Sequence, residues 1–97
     1  MRQMIIQSIR NRELIGFNYD GYPRMVEPHA YGVTSKGKEV LRAYQIAGGS
    51  SSGEVRSWRL FEVSRMNGFH LDGDGFSAPR QGYSRNDSAM ETIYAQI

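Results

Sequence analysis

The chain has 97 residues, no cysteine and a formal net charge of +2, with 39% hydrophobic and 23% charged residues. This length suits one small domain, and the composition argues against wholesale disorder. The lack of cysteine excludes a disulfide scaffold, a thiolate zinc site and a cysteine nucleophile, and it favours a reducing, cytoplasmic location. No stretch approaches the roughly 18 apolar residues of a membrane span, so we expect no membrane partner.

The first part of the chain predicts a helix followed by a β-hairpin. Apolar residues at helical spacing predict a short amphipathic helix over about residues 2–12. Alternation over residues 15–19 predicts a strand, and Asp20-Gly21 is a strong hairpin signal. Residues 22–31 are then the return strand, which we expect at a sheet edge or bent at Pro28, because Pro23 and Pro28 cannot donate to a ladder.

The rest of the chain predicts further strands and a closing helix. We expect a turn at residues 34–37, strands at 39–46 and 54–63, a flexible Gly/Ser loop at 47–53 and a short strand near 65–71. Ser88 to Glu91 matches a capping box, and apolar residues follow it at helical spacing: Met90, Ile93, Tyr94 and Ile97. This pattern predicts a short C-terminal helix.

The predicted order is therefore helix, about five short strands, helix, which is a mainly β fold of the β-rich α+β kind. Short antiparallel strands in a chain of this size favour a strongly bent sheet or a small antiparallel barrel. We expect residues 1–71 to form the barrel with its leading helix. Residues 72–97 would then be a loop and a helix that pack on the same domain.

Positive charge is concentrated in the middle of the chain. Residues 24–65 hold seven basic and four acidic side chains, and most of the basic ones are arginine, whose planar fork suits phosphate and carboxylate. Arg24, Arg42, Arg56 and Arg59 fall on adjacent predicted strands, interleaved with Tyr31, Tyr44 and Trp58. This pattern predicts a basic, aromatic surface that binds an anion. The alternatives are core aromatics and ordinary surface ion pairs.

No motif supports catalysis or a bound metal. Residues 49–53 spell G-x-S-x-G, but they join two predicted strands, whereas a nucleophile elbow joins a strand to a helix. Asp72 and Asp74 near His70 lack the further ligands of a calcium loop. We therefore expect no enzyme, no catalytic residues, no cofactor and no metal.

Four segments together resemble the WYL domain family: Ile15-x-Phe17-x-Tyr19, Arg24-Met-Val-Glu-Pro28, Leu41-Arg-Ala-Tyr44 and Arg56-Ser-Trp-Arg-Leu60. The resemblance covers about residues 1–70. The tripeptide that names the family falls at Glu39-Val40-Leu41, where only the leucine is kept, and Phe61-Glu62 stands where the family usually has Asp-Arg.

The resemblance implies an SH3-like or Sm-like barrel. It also implies a bacterial or phage-borne module that senses ligands or binds nucleic acid in transcription regulation. A binding surface carries over to Arg42, Tyr44, Arg56 and Arg59, with His29 and Arg24 as neighbours.

The sequence thus leads to one functional hypothesis and one alternative. In the first, the chain is a non-catalytic regulatory module that binds nucleic acid or a nucleotide-like anion. Arg42, Arg56 and Arg59 would pair with phosphates, while Tyr44 and Trp58 pack or stack nearby. In the alternative, edge strands or the C-terminal helix form a homodimer or bind a protein partner, and a concentration-independent monomer would count against the homodimer.

Overall fold

A computed structural model describes residues 1–97 as one helix and six strands. The helix α1 spans Arg2–Arg10, and a single 3₁₀ turn spans Val63–Arg65. The strands are β1 (Glu13–Tyr19), β2 (Tyr22–Val33), β3 (Glu39–Gly48), β4 (Ser57–Glu62), β5 (Asn67–Gly75) and β6 (Thr92–Gln96). None of the helices has the length and apolar character that a membrane crossing requires.

The strands form one antiparallel sheet in the order β4-β3-β2-β1-β5, and β6 pairs with β2. The mainly β prediction is confirmed, and so are the leading helix and the first hairpin. Asp20 and Gly21 both have positive φ, at 52° and 81°, as the tight two-residue turn between β1 and β2 requires.

The core lies on the inner face of the curled sheet, beneath α1. Ile5 and Ile9 of α1 pack there against buried residues of four strands, which include Ile15, Phe17, Val26, Leu41 and Phe61. The rings of Phe17 and Phe61 lie 4.9 Å apart, although β1 and β4 share no ladder. The Tyr19 hydroxyl accepts a hydrogen bond of 3.0 Å from the Glu62 N–H. Side chains therefore join the two strands, and the sheet itself stays open.

The expectation that β2 is an edge strand is wrong, because β2 lies inside the sheet. One side of β2 pairs with β3, and the other side pairs first with β1 up to Val26 and then with β6 from Ala30. Pro28 lies between these two partners. The alternative expectation, a bend at this proline, agrees with a one-residue bulge opposite β3, where His29 is the extra residue between Pro28 and Ala30.

The predicted C-terminal helix is also wrong, since this segment forms β6. The Asp87 carboxylate accepts the Ala89 N–H at 2.9 Å, and the chain then pairs with β2 over Thr92–Gln96. Beyond Val26, β2 has a row of backbone groups that β1 does not reach, and unpaired buried backbone groups are costly. β-Branched and aromatic residues at 92–94 suit a strand. The apolar face of this segment packs on the core, so a homodimer through a C-terminal helix is excluded.

The pairing of β6 with β2 can be tested at Gly32. A Cβ atom on Gly32 would lie 2.2 Å from the Thr92 carbonyl oxygen and 3.1 Å from the Ile93 Cα. We expect Gly32→Ala to lower the free energy of unfolding by about 1–3 kcal/mol, as overpacking does, when measured by urea denaturation. Lys36→Ala, at an exposed turn, should stay within about 0.5 kcal/mol. Equal stability of the two variants would contradict the strand.

Candidate functional site

The outer face of the sheet carries the aromatic and charged side chains that point away from the core. Glu27 lies opposite Tyr44, and Tyr44 lies opposite Trp58, so one row of side chains crosses β2, β3 and β4. Tyr44 and Trp58 contact edge to face, with ring centroids 5.6 Å apart. Alternation along the strands therefore places this row together, with Arg42 beside it.

His29 is fully buried at the bulge of β2, and both of its ring nitrogens contact backbone groups. Nε2 accepts the Arg80 N–H at 3.0 Å. Since the amide can only donate, Nε2 carries no proton, and Nδ1–H donates to the Glu27 carbonyl at 2.8 Å. The ring also stacks on Phe76, with centroids 5.4 Å apart. His29 is thus a neutral residue that fixes structure and has no free nitrogen.

The loop between β5 and β6, which we call the covering segment (residues 76–91), lies across this outer face. The Arg80 guanidinium donates two hydrogen bonds to the Glu27 carboxylate, at 3.0 and 2.7 Å, and it lies 4.7 Å from the centre of the Tyr44 ring. The Trp58 Nε1–H donates to the Gln81 carbonyl at 3.1 Å. These contacts hold the first part of the covering segment against β2, β3 and β4.

A second ion pair holds the later part of the covering segment. Arg42 donates to the Asp87 carboxylate through Nε at 2.6 Å and through Nη2 at 3.3 Å. These hydrogen bonds from Arg42, together with the Ala89 N–H, keep the pKa of Asp87 below its usual value of 3.8. Asp87 is largely buried, whereas the Arg42 side chain keeps 30% of its surface exposed. Arg42 therefore still faces solvent on one side.

A pocket of about 380 Å³ lies where β3 and β4 meet the covering segment. Arg42, Trp58, Tyr83, Arg85 and Asp87 are among the residues that line it. The rings of Trp58 and Tyr83 are nearly parallel, at 24°, with centroids 6.1 Å apart. Two guanidinium groups against one carboxylate leave the pocket positively charged. Its chemistry suits a ligand that combines an anionic group with a flat ring.

The structure divides the seven predicted site residues between the two faces of the sheet. Four of them share the outer face: His29, Arg42, Tyr44 and Trp58. Arg56 is exposed just before β4, where it donates to the Ile46 carbonyl and lies 5.9 Å from the Tyr44 ring. Arg24 and Arg59 point to the inner face instead, because they precede the core residues Val26 and Phe61 by two positions.

The sequence reasoning missed the contribution of the covering segment, which it treated only as a loop. Arg80, Tyr83, Arg85 and Asp87 all come from this segment and complete the outer face. The signal was present, because basic and aromatic residues alternate over residues 80–85. Nothing local in the sequence, however, indicates which strands such a loop contacts.

No group of three or more His, Cys, Asp or Glu side chains is arranged to hold a metal ion. Comparison of the chain with protein-family models, with curated proteins and with solved structures gives no match. The case for function therefore depends on the geometry of the chain itself.

The buried imidazole should make the fold sensitive to mild acid. Burial lowers the pKa of His29 from its usual value of 6.5. Between the folded-state pKa and about pH 6.5, His29 therefore stays neutral in the folded chain, whereas it takes up a proton in the unfolded chain. Stability is full above about pH 6.5 and falls as the pH drops toward the folded-state pKa, by up to about 1.4 kcal/mol per pH unit. Urea denaturation between pH 7.5 and 5 measures this slope.

His29→Gln keeps an acceptor and a donor without a titrating group, so this variant should flatten the slope. His70→Gln replaces an exposed histidine and should leave the slope unchanged. If His29→Gln and the unchanged chain lose stability in parallel over this range, His29 is not the group responsible.

Proposed function

We propose that the chain is a non-catalytic binding module for a nucleotide-like anion, either a free nucleotide or a unit of single-stranded nucleic acid. One observation carries the proposal: the Arg42 and Arg85 side chains line the same pocket as the stacked Trp58–Tyr83 pair. A nucleotide presents the matching pair of groups, a phosphate for the guanidinium and a base for the aromatic ring.

Arg42 has hydrogen-bonding capacity left for such a ligand. Its Nε and Nη2 contact Asp87, and a guanidinium has five N–H donors in total, so the Nη1 donors remain. Arg85 is exposed at the other wall of the pocket and adds a second positive charge. A phosphate would therefore meet two cations, one of them already oriented by Asp87.

We also propose a more specific architecture for the sheet. The leading helix, the antiparallel strand order and the contact between Phe17 and Phe61 support an SH3-like or Sm-like small barrel that is open between the edge strands β4 and β5. Together with the sequence resemblance, these features support a WYL-like module with a regulatory role. On this proposal Arg42 and Tyr44 belong to the binding face, as the resemblance implies, and Trp58 lies beside Tyr44.

Ligand binding can be followed by the fluorescence of Trp58, the only tryptophan. We expect saturable quenching when a short oligothymidylate is added at low salt, with an affinity that falls steeply as salt rises. Arg42→Gln should weaken binding about tenfold or more, the amount expected for a lost charged hydrogen bond. Arg10→Gln, on the exposed surface of α1, is the matched control.

Circular dichroism on each variant separates lost binding from lost folding. No fluorescence change at low salt with an intact fold, or equal affinities of Arg42→Gln and Arg10→Gln, would rule out this pocket as the binding site.

A further inference from the structure

Two arginines lie on the inner face of the sheet, on the side that carries the core. Arg24 on β2 and Arg59 on β4 flank β3, and each points to the same side as the core residue two positions later. Only 6% of the surface of Arg24 is exposed. Charged side chains are rarely buried to this degree unless they are paired.

The hydrogen bonds of these two arginines leave a donor unused on each. Arg24 donates to the Gln45 side chain and to the Tyr19 carbonyl, both at 3.1 Å, and it lies over the Tyr19 and Phe61 rings. Arg59 donates to the Glu54 carbonyl. In both side chains the Nε–H is buried and has no acceptor. A buried donor without an acceptor costs stability, so an acceptor is needed here.

Neither of the two charges is in an ion pair with a carboxylate. Neither Arg24 nor Arg59 belongs to any of the ion pairs of the structure, and the neighbouring Asp20 pairs with Arg65. Burial and the nearby charge of Arg59 lower the pKa of Arg24. All of the acceptors that these arginines do have are neutral: a side-chain amide and two backbone carbonyls.

The loop between β3 and β4 (residues 49–56) reaches from one arginine to the other. At one end, Gly49 donates to the Pro23 carbonyl and accepts from the Gln45 side chain, both at 3.0 Å. At the other end, Glu54 holds Arg59. Three serines and a glycine lie between these anchors, a composition that gives a flexible backbone with many donors. The loop therefore holds serine hydroxyls and backbone amides between the two arginines.

We propose that Arg24, Arg59 and the loop 49–56 form a second binding site, for a phosphate ion or a phosphoryl group. The site lies on the opposite face of the sheet from the Arg42 pocket and does not depend on it. A tetrahedral oxyanion has enough lone pairs to accept from both Nε–H groups and from serine hydroxyls of the loop. It would also supply the negative charge that the buried Arg24 and the half-buried Arg59 lack.

Thermal unfolding in phosphate, at constant ionic strength against sodium chloride, tests this site. A ligand that binds only the folded chain raises the unfolding midpoint by mass action, here by roughly 4–8 °C when phosphate exceeds its dissociation constant about tenfold. Arg59→Gln should lose more than half of this rise. Arg10→Gln, at an exposed arginine of α1 outside both proposed sites, should keep all of it.

Two further measurements keep the test decisive if Arg59→Gln is poorly folded. In the unchanged chain, ¹⁵N–¹H spectra should show saturable shifts of the amides of residues 49–54 as phosphate is added. Glycerol phosphate in place of inorganic phosphate distinguishes the source of the anion. Equal stabilisation by both indicates a phosphoryl group on a larger molecule, and stabilisation by inorganic phosphate alone indicates the free ion.

The proposal is overturned if phosphate gives no rise of the unfolding midpoint. It is also overturned if the rise is equal in the unchanged chain, Arg59→Gln and Arg10→Gln, which would be a general salt effect. Shifts that grow linearly without saturation would overturn it as well. Loss of oligothymidylate binding in Arg42→Gln, with the phosphate-dependent shifts of the amides of residues 49–54 intact, would show that the two sites are separate.

Discussion

The hydrogen bond from the Arg80 N–H to the buried His29 imidazole is the contact on which the outer face depends. It exists because a bulge in β2 turns His29 toward that face, and because the ring is neutral there. The imidazole thereby fixes the covering segment at a point where Phe76 and Trp58 also contact the ring. Without this segment the pocket beside Arg42 would lose one of its walls, since residues 82–88 supply most of its lining.

Strand alternation gives neighbouring residues opposite roles. Trp58 and Arg59 are adjacent in the sequence, yet Trp58 lies under the covering segment and Arg59 faces the inner side. Two arginines of the outer face have carboxylate partners, Arg42 with Asp87 and Arg80 with Glu27. The inner arginines have none. Carboxylates therefore pair with buried or half-buried arginines on the outer face only, and this difference is why we propose different ligands for the two faces, a ring-bearing anion outside and a small oxyanion inside.

Local patterns predicted the parts of the fold that local interactions determine. Residues 2–10 carry a helical repeat, Asp20-Gly21 fits its turn, and the strand expected at 39–46 corresponds to β3. The helix predicted from the capping box at Ser88 does not form, because a nonlocal interaction is stronger. The part of β2 that β1 leaves unpaired, some sixty residues earlier, needs a strand partner. The site could not be predicted for the same reason, since its residues are far apart in the sequence. Asp87 lies 45 residues from Arg42, and no periodicity links them.

The protonation state of His29 is the most direct test of this account, and long-range ¹⁵N–¹H spectra of the imidazole report it. The account predicts a neutral ring at pH 7, with the proton on Nδ1 and a bare Nε2 that accepts the Arg80 amide. Free histidine favours the proton on Nε2, so a proton on Nδ1 would report the two hydrogen bonds of the buried ring. A proton on Nε2, or a ring that is charged at pH 7, would contradict the account.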